Sequence, residues 1–352
     1  MRFFIWSILI LYALAGVADP EAETGAAKKN YRIGVLFWSM NIPGQVAMRQ
    51  GLEQEAKRIN GLPGPSVEIV PLVAGDDQSG IERQIGQMEK MIEQRVDLII
   101  VQPTDNAALT APLKKANAAG IPVIAYDQYI SGGKLVSYVT SDNYQAGYLG
   151  GEYLSSLFPE NKKLSMVIVE YPYVSSTIER VDGFLDALGD CRRPYEIRKR
   201  YQAVEPESGR RAGEEILQDF PNPGMLDVVF TVNDGGGIAV FRELSKAGNA
   251  GIAGITIDGD PEAIAIIRAG GIIKNDSAQF CGTIGAVALR TAYDFLRGRK
   301  VPSHIVIPAF PVNRETVGAY HGWLAPIPGE FKKSWPSKKT VWNPQLQYEW
   351  KK

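Results

Sequence analysis

Residues 97–128 read DLIIVQPTDNAALTAPLKKANAAGIPVIAYDQ. An apolar run, a polar turn, an amphipathic segment and a second apolar run follow one another in this stretch. Asp105 is predicted to cap the helix of the amphipathic segment, and Gly120 is predicted to end it. Nearly continuous apolar strands separated by a helix are typical of a parallel sheet covered on both faces.

The same alternation of strand and helix extends in both directions from this stretch. Roughly 320 residues follow position 30, more than a single hydrophobic core usually serves. The pattern therefore predicts an α/β protein with two doubly wound parallel-sheet units. The predicted strands are 32–37, 67–73, 97–101, 122–126 and 135–140 in one series, and 165–170, 195–202, 226–231, 253–257 and 272–275 in a second.

The N-terminal segment is typical of an export signal. Residues 1–18 combine a positive start, an apolar run and small residues at Gly16 and Ala18, which predicts a cleavable signal peptide and a periplasmic protein. An uncleaved membrane anchor is the alternative. Residues 19–30 are polar and Ala-rich, and we expect them to form a disordered leader.

The C-terminal segment, 320–352, lacks either period and is rich in Trp, Pro and Lys. One interpretation is a tail that wraps the surface and buries its aromatic side chains in grooves, because exposed apolar rings are unfavourable. The other is a docking segment for a partner. The aromatic residues concerned are Trp323, Trp335, Trp342 and Trp350.

The composition gives no sign of catalysis or of nucleic-acid binding. Lys plus Arg number 38 against 39 Asp plus Glu, so no basic surface is indicated. His304 and His321 are the only histidines, and both lie near the C-terminal end of the chain. The sequence therefore offers neither a three-histidine zinc site nor a histidine-based catalytic triad. We expect no enzyme activity, no metal and no cofactor. A glycosidase using Asp127 and Asp258 as paired carboxylates is the alternative.

Ligands of parallel α/β proteins bind at the carboxyl ends of the strands. Carboxylates, amides and aromatic rings recur there, a set that suits the hydroxyls and C–H faces of a sugar or polyol. We expect Asp105 and Asp260 only to cap helices, and we assign Asp127, Asn233 and Asp258 to ligand binding. The strand ends are 38–41, 76–77, 103–105, 127–129, 171–173, 233–234, 258–260 and 275–279.

Several motifs, in order and spacing, resemble those of the ribose-binding-like, type I periplasmic binding proteins of sugar importers. The resemblance covers 31–318. The motifs are IGVLFWSMNIPGQVAMRQGLEQEA at 33–56, DLIIVQPTDNAAL at 97–109, AGIPVIAYDQ at 119–128, YVTSDNYQAGYLGGEYL at 138–154, ERVDGFLDAL at 179–188, LDVVFTVND at 226–234 and GITIDGDPEAI at 254–264.

This resemblance implies two lobes joined by a three-segment hinge, with crossovers near Asp142, 275–279 and 310–312. An N-terminal lobe of 31–141 plus 279–310 and a C-terminal lobe of 142–278 plus 311–319 would follow, with 320–352 as the tail.

The resemblance also implies a set of ligand-binding residues. Gln128 and Ile178 stand where many relatives have arginine, so we expect a pocket without fixed positive charge and a neutral ligand. Trp38 and Tyr173 are added as aromatic partners from the strand ends. The full predicted set is Trp38, Asn41, Asp127, Gln128, Tyr173, Asn233, Asp258 and Gln279.

These observations predict a monomeric solute-binding protein that captures a small neutral sugar or polyol by lobe closure and delivers it to an ABC importer. The alternative is a sensor that presents a sugar or a methylamine-like ligand to a sensor kinase or chemoreceptor. The methylamine alternative depends on an aromatic cage. Its rings would be Trp38, Tyr126, Tyr129, Tyr171 and Tyr173.

Overall fold

The computed structural model describes residues 29–75, 77, 79–249 and 251–351. The predicted signal peptide at 1–18, nearly all of the predicted leader at 19–30, and Asp76 lie outside the described residues.

Strands and helices alternate along most of the chain, and each of the ten predicted strands is present with ends shifted by up to three residues. Over the described ranges the strands are β1 (Asn30–Phe37), β2 (Ser66–Val73), β3 (Leu98–Val101), β4 (Val123–Tyr126), β5 (Ser137–Ser141), β6 (Leu164–Glu170), β7 (Tyr195–Gln202), β8 (Val228–Thr231), β9 (Ala253–Asp258), β10 (Ile273–Ala278), β11 (His304–Ile307), β12 (Phe310–Asn313), β13 (Phe331–Lys332), β14 (Val341–Trp342) and β15 (Gln347–Glu349). The helices are α1 (Pro43–Asn60), α2 (Gly80–Glu93), α3 (Thr110–Ala118), α4 (Asn143–Ser156), α5 (Ser175–Asp190), α6 (Pro206–Asp219), α7 (Asp234–Lys246), α8 (Pro261–Arg268) and α9 (Cys281–Leu296).

Two large sheets organise these elements. The first has the strand order β15-β11-β5-β4-β3-β1-β2, and the second has the order β12-β10-β9-β8-β6-β7. Neighbouring strands are parallel except at β15 and β12, which are antiparallel to β11 and β10. The central strands are fully buried, as expected of sheets covered by helices on both faces.

Three crossovers connect the two sheets, from β5 to β6, from β10 to β11 and from β11 to β12, and the tail then returns to the first sheet, where it forms β15. The predicted fold class, two doubly wound lobes with a three-segment hinge, is therefore confirmed. The exact lobe boundaries remain a prediction. Phe310 was assigned to the N-terminal lobe, yet it pairs with Ala278 in the second sheet because β12 begins at this residue.

The helix in the 97–128 stretch begins later than predicted, at Thr110. Asp105 instead stabilises the turn before the helix, where its Oδ1 accepts hydrogen bonds from the backbone N–H groups of Ala107 and Ala108 at 2.7 Å each. Asp105 therefore caps a turn, not α3 itself.

Helices α4 and α5 pack closely through glycine. A Cβ atom at Gly147 would overlap the carbonyl oxygen of Arg180, and a Cβ atom at Gly183 would overlap the carbonyl oxygen of Tyr144. Only glycine permits this approach of the two backbones. The contact places Arg180 next to the first turn of α4.

The C-terminal tail contacts both sheets. The indole N–H of Trp323 donates to the carbonyl oxygen of Asp258 at 2.6 Å, and that of Trp342 donates to the carbonyl oxygen of Ala309 at 2.7 Å. Its last strand, β15, then extends the first sheet. The tail thus wraps the surface on the hinge side.

Burial of the tail's aromatic rings follows the packing interpretation only in part. Trp335 and Trp342 are buried, whereas Trp350 is 49% exposed and is contacted by the ammonium group of Lys300 at 5.7 Å from its ring centre. None of the helices in the described part of the chain is long and apolar enough to cross a membrane.

A buried ion pair connects the tail to α4. Lys333 Nζ lies 2.6 Å from Glu152 Oε2, and the two side chains are 4% and 1% exposed. Removing one partner of such a pair leaves an uncompensated buried charge, which costs far more than losing an exposed pair.

We expect Lys333→Met to lower the free energy of unfolding by about 3 kcal/mol, because Glu152 would then be buried without its partner. Urea denaturation measures the change. Lys163→Met, in the exposed pair with Glu196, is the matched control and should cost less than about 1 kcal/mol. A double variant that also carries Glu152→Leu should recover most of the lost stability, and equal losses for both single variants would contradict the assignment.

Candidate functional site

A small cavity lies between the carboxyl ends of the strands of the two sheets. It has a volume of about 40 Å³. Six of the eight predicted ligand-binding residues line it, namely Trp38, Asp127, Gln128, Asn233, Asp258 and Gln279. Other lining side chains include Ile42, Ser176, Thr177, Arg180, Val204 and Cys281.

Asp127 follows β4 and has a φ of +64°, a conformation rarely adopted by residues with a side chain. Two hydroxyls hold its carbonyl oxygen in place, Tyr138 Oη at 3.0 Å and Thr140 Oγ1 at 2.9 Å. Gln102 Nε2 donates to its carboxylate at 2.9 Å. Burial raises the pKa of Asp127, and the bond from Gln102 opposes that rise.

Asp258 ends β9 and also has a positive φ, +137°. Its carbonyl oxygen accepts from Trp323 Nε1 at 2.6 Å and from the Gln279 backbone N–H at 3.0 Å. Both cavity-lining aspartates therefore occupy strained conformations that their surroundings stabilise, as is common at functional sites.

Arg180 supplies a buried positive charge at the cavity. Its Nη1 lies 3.0 Å from Asp258 Oδ1, and its side chain is 4% exposed. The same nitrogen donates to the carbonyl oxygen of Val232 at 2.8 Å, and Nε donates to Asn143 Oδ1 at 3.0 Å. The prediction of a site without fixed positive charge is therefore wrong. Arg180 lies on the buried face of α5 with Ser176 and Phe184, spaced four residues apart, and that helical spacing was the available signal.

Burial raises the pKa of Asp258 to about 6, although Arg180 opposes the shift. The described residues that line the cavity include two carboxyl groups, Asp127 and Asp258, and one guanidinium, Arg180. The guanidinium is already paired with Asp258. Such a cavity still disfavours an anionic ligand.

Two of the amide side chains that line the cavity carry a buried acceptor. Gln128 Nε2 donates to Ser176 Oγ at 3.2 Å across the cleft, and Gln279 Nε2 donates to Asp258 Oδ1 at 2.6 Å. The Oε1 atoms of both glutamines are buried and find no hydrogen-bond partner among the described residues. A buried acceptor without a partner costs about 1–3 kcal/mol, so these atoms favour a ligand that donates hydrogen bonds.

Asn233 has a structural contact for each of its polar atoms. Its Oδ1 caps α7 by accepting from the Gly236 N–H at 3.2 Å, and its Nδ2 donates to the carbonyl oxygen of Val204 at 2.9 Å. Asp260 caps α8 through the Glu262 N–H, as expected from the sequence. Asn233 lines the cavity and Asp260 does not.

Asn41 and Tyr173 lie outside this cavity. In the turn before α1, the backbone N–H of Asn41 donates to Ser39 Oγ. In this turn the side chain of Asn41 is exposed, and Ile42 lines the cavity instead. Tyr173 is 49% exposed and lines a neighbouring cavity. Ile178 is also exposed, at 41%.

The five aromatic rings proposed for a methylamine cage do not surround one point. Tyr126 is fully buried, and Tyr129 contacts Tyr138 with ring centres 6.2 Å apart. Trp38, Tyr171 and Tyr173 form a separate cluster. No group of His, Cys, Asp or Glu side chains among the described residues could hold a metal ion.

A second group of carboxyls lies behind Asp258. Asp276 Oδ1 accepts from the Gly259 N–H at 2.9 Å, and Asp234 Oδ2 accepts from the Asp260 N–H at 2.7 Å. Burial raises the pKa of Asp276 to about 8, and burial together with the charge of Asp276 raises the pKa of Asp234 well above its usual range. These carboxyls support the backbone that presents Asp258.

The fold agrees with a known family of proteins. A family model described as periplasmic binding protein domain matches residues 33–300, and the chain belongs to that family. The sequence-based recognition of a periplasmic binding protein is thereby confirmed. The family consists of binding proteins rather than enzymes, which disfavours the glycosidase alternative.

Individual relatives within this family are named for binding sugars or polyols. The chain is 29% identical to the ribose import binding protein of Bacillus subtilis over 303 residues, which cover 85% of this chain and 94% of the relative. It is 24% identical to the xylitol-binding protein of Mycolicibacterium smegmatis over 86% of this chain and 84% of the relative. A solved ABC transporter periplasmic solute-binding protein from Actinobacillus succinogenes with bound D-allose superimposes with a TM-score of 0.71 at 28% identity, over 82% of this chain and 100% of that chain. These relatives favour the importer over the sensor alternative.

We expect Asp276→Asn to flatten the pH dependence of stability. An unfolded Asp ionises near pH 4, whereas folded Asp276 keeps its proton until pH about 8, so its contribution to stability is lost as pH rises through this range. Asparagine resembles the protonated side chain and does not titrate. Between pH 5 and pH 8, the free energy of unfolding of the variant should fall by about 2–4 kcal/mol less than that of the parent. One pKa unit corresponds to about 1.4 kcal/mol.

Urea denaturation at the two pH values measures this difference. The control is Asp190→Asn, because bonds from Lys338 and Tyr148 lower the pKa of this exposed carboxyl and place its titration below pH 5. Identical pH profiles for Asp276→Asn and the parent would show that Asp276 is ionised in the folded protein.

Proposed function

We propose that this protein is a periplasmic solute-binding protein that captures a small neutral sugar or polyol between its lobes and delivers it to an ABC importer. It catalyses no reaction and uses no metal or cofactor. The observation that carries the proposal is the pair of buried, unpartnered acceptors, Gln128 Oε1 and Gln279 Oε1, in the cavity that Asp127 and Asp258 also line.

The polar atoms around the cavity are mainly acceptors, and a polyhydroxylated molecule is the ligand that satisfies them. Each hydroxyl donates one hydrogen bond, which a carboxylate or phosphate group does not. Charge-assisted bonds to Asp127 and Asp258 would be the strongest of these contacts. The indole of Trp38 supplies an apolar surface for the C–H faces of the ligand.

Binding would couple the two lobes because both contribute to the cavity. Trp38, Asp127 and Gln128 follow strands of the first sheet, whereas Asn233 and Asp258 belong to the second. A ligand that contacts both sets stabilises the closed arrangement relative to an open one. Rotation about the three crossovers would open and close the cleft, as in other hinged binding proteins.

The family and the predicted signal peptide support delivery to a membrane importer. Relatives of the chain are named for ribose import or for an ABC transporter, which supports a membrane importer as the partner. We propose export to the periplasm, a monomeric mature protein, an ABC permease as its partner, and no nucleic-acid partner.

Cleavage after Ala18 should give a mature protein that begins at Asp19. N-terminal sequencing of the protein recovered from the periplasm of an expressing bacterium measures this directly. An intact Met1 on protein that sediments with the membrane would support the anchor alternative.

Thermal unfolding in the presence of neutral pentoses, hexoses, polyols and methylammonium compounds tests the ligand class. A ligand at a hundred times its dissociation constant adds about 2.7 kcal/mol of stability, which raises the melting temperature by a few degrees. Stabilisation by a neutral sugar or polyol is the expected result. Stabilisation by methylammonium compounds alone would contradict the proposal.

Asp127→Ala should then weaken binding of the stabilising sugar or polyol about a hundredfold, because a hydrogen bond to a charged group contributes about 1.5–3 kcal/mol. Isothermal titration calorimetry measures the affinity. Asp186→Ala, which removes an exposed carboxylate of α5, is the control and should bind as the parent does. An unchanged affinity in Asp127→Ala would remove this residue from the site.

A further inference from the structure

A second cavity lies beside the first, and its walls differ in chemistry. It has a volume of about 440 Å³ and is lined by Trp38, Thr104, Asp105, Tyr171 and Tyr173, among others. These residues follow β1, β3 and β6, so this outer cavity also lies between the carboxyl ends of strands from both sheets.

The two cavities are direct neighbours. Trp38 lines both of them. The segment 171–177 also contributes to both, with Tyr171 and Tyr173 on the outer cavity and Ser176 and Thr177 on the inner one. A molecule bound in the inner cavity therefore has the outer cavity as its nearest open space beyond Trp38.

The inner cavity is small for a complete sugar. One water molecule needs about 10–15 Å³ on the same measure, so about 40 Å³ accommodates only about three waters. The outer cavity is about tenfold larger. The inner cavity thus fits a few hydroxyl-bearing carbons, and the outer cavity has space for a ring.

The aromatic residues of the outer cavity form a wall, not a cage. The ring centres of Trp38 and Tyr171 are 6.2 Å apart with planes inclined by 33°, and those of Tyr171 and Tyr173 are 4.9 Å apart with planes inclined by 68°. These separations are those of rings in mutual contact, so no cationic group fits between them. A continuous aromatic wall suits the apolar face of a sugar ring, and Thr104 and Asp105 supply polar atoms for its hydroxyls.

From these two cavities we infer that the ligand is a glycoside, with one polyhydroxylated unit in the inner cavity and a sugar ring against the wall of Trp38, Tyr171 and Tyr173. This inference rests on the proposed function and specifies its ligand. Tyr173, exposed and outside the inner cavity, is then a specificity-determining residue for the second unit.

Calorimetric titration of the purified protein with matched pairs of compounds tests the inference. The pairs are glycerol and glucosylglycerol, glycerol and galactosylglycerol, and erythritol and glucosylerythritol, with choline as a cationic probe. We expect at least one glycoside to bind tenfold or more tightly than its own components, because the aromatic wall adds a stacking contact.

Tyr173→Ala should weaken binding of that glycoside about tenfold and leave the affinity for its components unchanged. Tyr173→Phe keeps the ring and should bind as the parent does. Tyr144→Ala is the matched control. Tyr144 is another exposed tyrosine, but it lies on α4 and lines neither cavity.

The inference would be overturned, with the proposed function left in place, if every glycoside bound no more tightly than its components. Two results with Tyr173→Ala would overturn it in the same way. One is equal weakening of a glycoside and its components, and the other is normal binding of the favoured glycoside. Binding of choline with no binding of any neutral compound would overturn the proposed function, and this inference with it.

Discussion

The buried guanidinium of Arg180 is the constraint on which the site depends. It binds the first turn of α4 through Asn143, the end of β8 through the carbonyl of Val232, and the end of β9 through Asp258. A charge buried to this degree is costly unless its partners are present and well placed. The three elements are therefore fixed relative to one another, and Asp258 keeps its unusual backbone conformation within that framework.

Most of the fold could be predicted because buried parallel strands and amphipathic helices have distinct periodicities. The exceptions are elements whose position depends on distant partners. Strand β11 pairs with β5 on one side and with β15 on the other, and the short sequences of β11 and β15 carry no period of their own. The start of α3 was misplaced because an aspartate can cap a turn as readily as a helix.

The candidate site was predictable to the extent that strand ends converge. Asp127, Asp258 and Gln279 could be placed in the cavity because they directly follow or end buried strands. Asn41 could not, since whether it or Ile42 points inward depends on the turn that Ser39 stabilises. The role of Arg180 could not be predicted from the sequence, because it depends on tertiary pairing with Asn143, Val232 and Asp258.

The strand order also determines how each sheet ends, and an unpaired edge strand is a template for association with other chains. All four edges of the two large sheets carry features that oppose such pairing. The edge strands β2 and β12 contain Pro71 and Pro311, which lack the N–H needed for a regular ladder. The edge strand β7 carries Lys199 with an arginine on each side, and β15 is only three residues long. By pairing with β11, the last strand of the tail covers the backbone edge of His304–Ile307 and so opposes association of the protein through that edge.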